Sequence, residues 1–367
     1  MKNNFLSPIK EIIKDAKLGK LFILVDDKDR ENEGDLVVAA SKCNYKKINF
    51  MITHGRGLVC LALTKKKVNE LGLPLMSSIN KSRMQTAFTV SIESKKGITT
   101  GISAFDRAKT IKTAINIRAK KSDIVSPGHV FPLVSRDGGV LERAGHTEAS
   151  IDISKLAKKN PAAVICEIMN EDGTMARGQD LIKFADKFNL KIGKIEDLIS
   201  YRLKKEKLIK LKKTSKIKIQ KQIYKIKIYE NIIDGSEHFA LIKGNLKKKI
   251  STRLRVISSN VVENYLISQK IPNSFNKTIN YFKKFNNCVL IFIRDQNLKS
   301  VSQTLKKHKN NENNKMGQDK LIKTYGIGAQ IIKSLGIKNM ILVTRSRKKV
   351  VGLDGYGIKI VKQEILK

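Results

Sequence analysis

The feature that most limits what this chain can fold into is a change of pattern at Tyr201-Arg202. Before it, short apolar runs alternate with amphipathic stretches; after it comes LKKEKLIKLKKTSKIKIQ, a lysine-rich segment with no core signal of its own. At 367 residues the chain also exceeds one ordinary core, and domains of roughly 150–200 residues are the usual solution. We therefore divide it into residues 1–202 and 203–367, with the lysine-rich segment as a linker.

Within the first part, Ser7-Pro8 ahead of IKEIIKDAKLG reads as an N-cap, a proline at the first helical position and a glycine stop at Gly19. LFILVDD is a short buried strand. GLVCLAL, TAFTVSIE and PAAVICEIMNEDG read as further strands, TKKKVNELGL and SAFDRAKTIKTAIN as helices, and the run from Ala176 to Arg202 as helix, strand, helix. This alternation predicts an α/β domain of three layers around a mixed sheet. In the second part KIKIQKQIYKIKIYE has the period of an antiparallel strand pair, and TYGIGAQIIKSLGIKNMILVTRSRKKVVGLDGYGIKIV reads as helix, strand and a glycine-bounded turn, predicting a second, smaller α/β domain.

Charge matters because 73 Lys+Arg stand against 33 Asp+Glu. Lysine is spread over nearly every segment together with isoleucine, and aromatics are 6%, so the balance reads as codon bias, with attraction for phosphorylated small molecules but no specific nucleic-acid partner. Cys43, Cys60, Cys166 and Cys288 are scattered without a C-x-x-C pair, which suits a reducing cytoplasm and indicates neither a disulfide framework nor zinc. Apolar runs such as VLIFI are far short of the ~20 residues needed to cross a bilayer, and the charged N-terminus lacks a signal-peptide core, so no membrane partner is expected.

Against that background DRENEGD, residues 29–35, is anomalous. If extended, it places Asp29, Glu31, Glu33 and Asp35 on one side, where a metal ion, an arginine or a polyhydroxylated substrate would relieve their repulsion; a solvated acidic loop is the plain alternative. His129 in PGHVFPL and His146 in RAGHTEA stand in glycine-containing loops, and Glu167 sits inside the apolar run VICEIMN. A His and a Glu suit a hydrated divalent cation, and a carboxylate in an apolar strand gains a raised pKa useful in proton transfer, or else pairs with an arginine. Cys60 reads as a small buried apolar residue.

DDKDRENEGDLV, SAFDRAKTI, SPGHVFPL, RAGHTEASIDI and CEIMNEDG, in this order and spacing, resemble 3,4-dihydroxy-2-butanone 4-phosphate synthase of riboflavin biosynthesis. The resemblance covers residues 1–202. It implies a cytoplasmic, homodimeric lyase that converts ribulose 5-phosphate to 3,4-dihydroxy-2-butanone 4-phosphate and formate with Mg²⁺ or Mn²⁺. It implies Glu31 and His146 as metal ligands; Arg30, Glu31, Asp35, Arg143, Ala144, Gly145, His146, Thr147 and Glu167 as substrate-binding residues; and His129 and Glu167 as catalytic. Asp106 and Arg107 match the family pattern as secondary candidates, although a Ser-x-x-Asp helix start is equally a cap.

DGSEHFALIKG, TYGIGAQIIKSLGI and KKVVGLDGYGIKIV resemble GTP cyclohydrolase II. The family's zinc cysteines are missing from RVISSNVVENYLISQKIPN, its glycine-rich stretch has become RDQNLKSV from Arg294 to Val301, and its catalytic Asp and Arg fall on Leu321 and Lys323. Thr344 and Lys349 still match nucleotide-contacting positions. The resemblance thus implies a degenerate domain without zinc or cyclohydrolase activity, kept for packing, dimer support or regulation; a GTP-binding module or a polyanion-binding partner domain are the alternatives.

Overall fold

The computed structural model describes residues 5–27, 30–77, 79–80, 84, 86–246, 251–259, 274–294, 318–345 and 356–366. The chain divides into two compact units, 1–201 and 202–367, each built on a seven-stranded mixed sheet.

In the first unit the strands are β1 (Phe22–Val25), β2 (Gly34–Ala39), β3 (Cys60–Thr64), β4 (Ile92–Ser94), β5 (Ile124–Ser135), β6 (Ala162–Glu167) and β7 (Ile192–Lys194), in the order β4-β5-β3-β6-β2-β1-β7. The helices are α1 (Ile9–Leu18), α2 (Tyr45–Phe50), α3 (Lys65–Glu70), α4 (Ala104–Ala114), α5 (His146–Leu156), α6 (Gln179–Phe188) and α7 (Ile195–Lys205). Period-two alternation assigns the faces. Leu36, Val38, Leu61, Leu63, Val164 and Cys166 join one core with Ile48 of α2, Val68 of α3, Ile111 of α4 and Leu181 of α6. The alternate residues of the same strands face α5, which lies against β1, β2, β3, β5 and β6 and is backed by α1. The first unit is therefore three-layered, as its alternating pattern predicts.

Two local expectations shift. Helix α1 begins at Ile9, so Pro8 occupies the cap position and Ser7 spends its amide on the Ile192 carbonyl at 2.7 Å; Gly19 ends the helix at φ 79 as expected. The segment after Arg202 is not a linker. It forms β8 (Ile209–Ile219), which pairs with β9 (Gln222–Asn231) through a turn whose Gln220 and Lys221 both have positive φ, the geometry that matches strand twist in a two-residue hairpin. An edge strand held by its backbone ladder needs little core, and its lysines discourage further pairing, which is why no core signal marks it.

The second sheet continues with β10 (Glu237–Lys243), β11 (Thr252–Ser259), β12 (Cys288–Arg294), β13 (Asn339–Thr344) and β14 (Lys359–Ile365), in the order β14-β13-β11-β12-β10-β9-β8. Helix α8 (Ser274–Phe282) buries Ile279 and Phe282 against one face, and α9 (Gln318–Ser334) buries Ile327, Ile331 and Ile332 against the other. Among the described residues no helix is long and apolar enough to cross a membrane.

Candidate active site

The connection from β1 to β2 is a folded turn, not an extended acidic strand. Asp26, just past β1, accepts from the Glu33 amide at 2.9 Å, the Glu31 amide at 3.2 Å and Arg30 Nη1 at 2.7 Å, and Asn32 takes φ 56. A carboxylate that satisfies successive amides replaces the strand ladder with a turn. The acidic residues are therefore dispersed. Glu31 pairs with Arg30, Glu33 accepts from Arg177 Nη2 at 2.9 Å, and Asp35 enters β2; Asp29 lies outside the described residues.

Asp35 is the direct cross-strand partner of Glu167 on β6, so two carboxylates share the face toward α5. Burial pushes the Asp35 carboxyl well above its ordinary range, and the Glu167, Glu31 and Asp26 carboxylates add to it against the Arg30 guanidinium. Asp35 thus favours its protonated form. Glu167 makes no arginine pair among the described residues; its Oε2 accepts from the Leu58 amide at 2.9 Å. Only a glycine fits at position 57, since a Cβ there would fall 2.7 Å from Glu167 Oε2.

His146 is not in a loop, as its glycine neighbours suggest, but is the first residue of α5, with Gly145 as the extended cap. Its ring is 6% exposed, with Nδ1 3.8 Å from Asp35 Oδ1 and 4.0 Å from Glu31 Oε2. Burial lowers its pKa, keeping the imidazole neutral as a ligand must be, and Nε2 is buried without a hydrogen-bond partner among the described residues. Asp26, Glu31 and His146 offer donor atoms within 4.8 Å of one another, an oxygen and nitrogen set that fits a divalent cation. Asp26 already serves the turn, which leaves Glu31 and His146 as the less committed donors.

Arg143 donates to Glu148 Oε2 at 2.6 Å, the Met84 carbonyl at 3.2 Å and Thr86 Oγ1 at 3.1 Å. Ala144 and Gly145 lead into α5, whose first turn contains the buried Thr147; a helix start is by its geometry a place suited to an anion.

His129 also departs from its loop expectation, because Pro127 and Gly128 lie within β5 without ending it. Val130 pairs with Ile92 while Val125 pairs with Glu93, so residues 126–129 bulge opposite adjacent positions of β4. Such bulges re-aim side chains. Phe131, Cys60 and Ile165 lie on one rung, and the bulge turns His129 out of the β5 ladder just before it. Asp35 and Glu167 therefore pair across the sheet, with His146 beside Asp35.

Glu93, whose carboxylate bonds His129 Nδ1, escapes a reading of the sequence, as do Asp26, Glu148 and the Leu58 amide; the acidic residue ending TAFTVSIE is the signal that could have found Glu93. Asp106 accepts from Thr99 and Gly101, and its amide donates to Ser103 Oγ at 3.0 Å, so the cap is real and the carboxylate has further work. Arg107 Nε is buried without a hydrogen-bond partner among the described residues. Cys60 is buried in β3, its thiol pushed up by burial.

Residues 10–201 match the family model of 3,4-dihydroxy-2-butanone 4-phosphate synthase, more than half of the chain. The chain belongs to the 3,4-dihydroxy-2-butanone 4-phosphate synthase family. Residues 210–364 match the GTP cyclohydrolase II model. The riboflavin biosynthesis protein RibBA of Aquifex aeolicus is 43% identical, covering 98% of this chain and 92% of that protein. A Neisseria meningitidis protein named for the synthase alone is 42% identical, covering 97% of each. The crystal structure of RibBX from A. baumannii, described as a two-domain synthase, superposes with a TM-score of 0.83 at 39% identity, over 98% of this chain and 99% of that one. A synthase structure in complex with two magnesium ions matches with a TM-score of 0.51 at 38% identity, over 53% of this chain and 96% of that one. Asp35, Glu167 and His129 all lie in the synthase unit.

Proposed function

We propose that residues 1–202 convert ribulose 5-phosphate to 3,4-dihydroxy-2-butanone 4-phosphate and formate, supplying the four-carbon unit of riboflavin, in a cytoplasmic homodimer. The observation that carries this reading is the pairing of buried Asp35 with half-buried Glu167, close to His146 and Glu31, since nothing in the fold itself rewards carboxylates held so near one another. Glu31 and His146 would hold Mg²⁺ or Mn²⁺, a choice supported by the two magnesium ions of the related synthase. Such an ion would supply a Lewis acid that draws electron density from a substrate carbonyl. Asp35 hydrogen-bonds a substrate hydroxyl, and Arg30 offsets the negative charge of the turn. The segment Arg143, Ala144, Gly145 and Thr147 at the start of α5 receives the phosphate, the Arg143 guanidinium adding positive charge. Glu167 and His129 are read as the groups that move protons at neighbouring atoms of a five-carbon chain.

The test is direct: incubate the full-length protein with ribulose 5-phosphate and Mg²⁺ and follow formate and the butanone phosphate, with Glu31→Ala and His146→Ala alongside. Product from the wild type alone supports the reading; equal product from all three ends it. Light scattering checks the homodimer.

For residues 203–367 the reading is a cyclohydrolase II-like domain without cyclohydrolase activity. Its support is the cysteine inventory: only Cys288 lies in this half, buried in β12, so no thiolate set can hold zinc. Residues 260–273, 295–301 and Lys349, and the side chains of Leu321 and Lys323, lie outside the described residues. The A. aeolicus relative, by its RibBA name, leaves the point open, so formate released from GTP by the purified protein would overturn it. GTP binding without turnover stays as a second reading because Thr344, at the end of β13, buries a hydroxyl that has no partner among the described residues. A rise in melting temperature with GTP would favour it.

A further inference from the structure

We propose that Glu93 is a positioning residue that fixes the tautomer of His129 and leaves its Nε2 as the proton acceptor. The inference rests on the reading of His129 as catalytic and adds to it the group that makes its ring usable.

The Glu93 carboxylate bonds His129 Nδ1 directly. A carboxylate accepts and does not donate, so Nδ1 carries the hydrogen, and the neutral ring then has its free lone pair on Nε2. The two groups differ in access: the His129 side chain is 43% exposed, whereas Glu93 is only 15% exposed. One ring nitrogen is tied back to the protein while the other can reach a substrate.

The surroundings are built for this contact. The register shift between Ile92 and Glu93 turns residues 126–129 out of the ladder, and that bulge is pinned to β4 by Ser126 Oγ donating to the Ser91 carbonyl at 2.6 Å and by the Gly128 amide donating to Ser91 Oγ at 3.0 Å. A Cβ at Gly101 or at Gly128 would overlap the Glu93 side chain, so both backbones approach it as only glycine can. Gly101 is brought there by Asp106 of α4, which accepts from the Thr99 hydroxyl at 2.7 Å, the Thr99 amide at 3.2 Å and the Gly101 amide at 3.1 Å. The Asp106 match thus acquires a role beyond the cap: it folds the loop that confines Glu93.

In the step, Nε2 takes a proton from the substrate, whose bonding pair stays on the substrate, and the resulting imidazolium faces the Glu93 carboxylate. Return of the proton restores the neutral ring.

The experiment compares His129→Asn, Glu93→Gln and Glu93→Asp in the full-length protein, measuring kcat and KM with ribulose 5-phosphate and the imidazole ¹⁵N shifts of His129. Glu93→Gln keeps the shape of the side chain, so it is expected to fold, to hold KM within about twofold and to lower kcat about 10²-fold, the low end of what a positioned base contributes. The ¹⁵N spectrum should show the Nε2–H form gaining population, and Glu93→Asp should recover part of kcat. If His129→Asn is fully active, the reading of His129 fails. If His129→Asn is inactive while Glu93→Gln keeps its kcat, or loses kcat with an unchanged tautomer, the positioning inference alone is overturned.

Discussion

The two units each close seven mixed strands between helices, yet they treat buried polar groups in opposite ways. In the second unit several such groups are satisfied by neighbours, Thr344 being an exception among the described residues. Gln330 of α9 accepts from the Leu208 amide at 2.8 Å and donates to the Leu203 and Glu206 carbonyls, while His238 accepts from the Arg294 amide at 3.1 Å. In the first, Asp35 faces Glu167 and lies near Glu31 and His146, so burial and like charge raise its pKa. Groups satisfied in place serve stability, whereas groups that repel one another serve something that arrives later.

The sharpest break of that contrast is Glu167→Gln. Synthase turnover should fall about 10²- to 10⁴-fold while the melting temperature stays put or rises, because a neutral amide still accepts from the Leu58 amide. A variant that unfolds instead would make Glu167 structural. On the other sheet Gln330→Leu should do the reverse. Stranding the Leu208 amide and two carbonyls should cost about 3 kcal/mol in urea unfolding while the synthase rate of folded protein is kept.

Asp35→Asn sharpens the comparison from a third side. Removing a carboxyl that burial and Glu167 both disfavour should stabilise the fold by about 1 kcal/mol and lower turnover, read by thermal melting and assay together. The smallest effect concerns pH. Burial lowers the pKa of His238 from the ordinary 6.5, so the unfolded chain takes up a proton that the folded one refuses. Stability from this site is present above the unfolded value and lost as pH falls from there toward the folded one. Urea midpoints between pH 7.5 and pH 5 should decline, and His238→Gln should flatten the decline.

Much of this was legible in the chain. Glu167 stands out because a carboxylate inside VICEIMN has no reason to be there, and DRENEGD because its charge opposes that of everything around it. His129 and His146 were legible as residues but not as placements. Pro127 and Gly128 look like loop formers, yet a bulge absorbs them into β5, and Gly145 reads as a loop though it caps α5. Asp26 was hidden because its work is to accept from the backbone of its own turn, which leaves no compositional mark. Strand β8 was hidden for the same kind of reason, since a ladder on one edge asks nothing of its side chains.

By itself, then, the sequence determined several of the strands and helices, which family motifs are present and that the second half holds a single cysteine, because periodicity and residue identity are local properties. Only the tertiary structure decided that Asp35 faces Glu167, that His146 sits beside Asp35 and that Glu93 stands behind His129. Those neighbours are distant along the chain, and what joins them is strand register, which both partners set together through the parity of their buried faces.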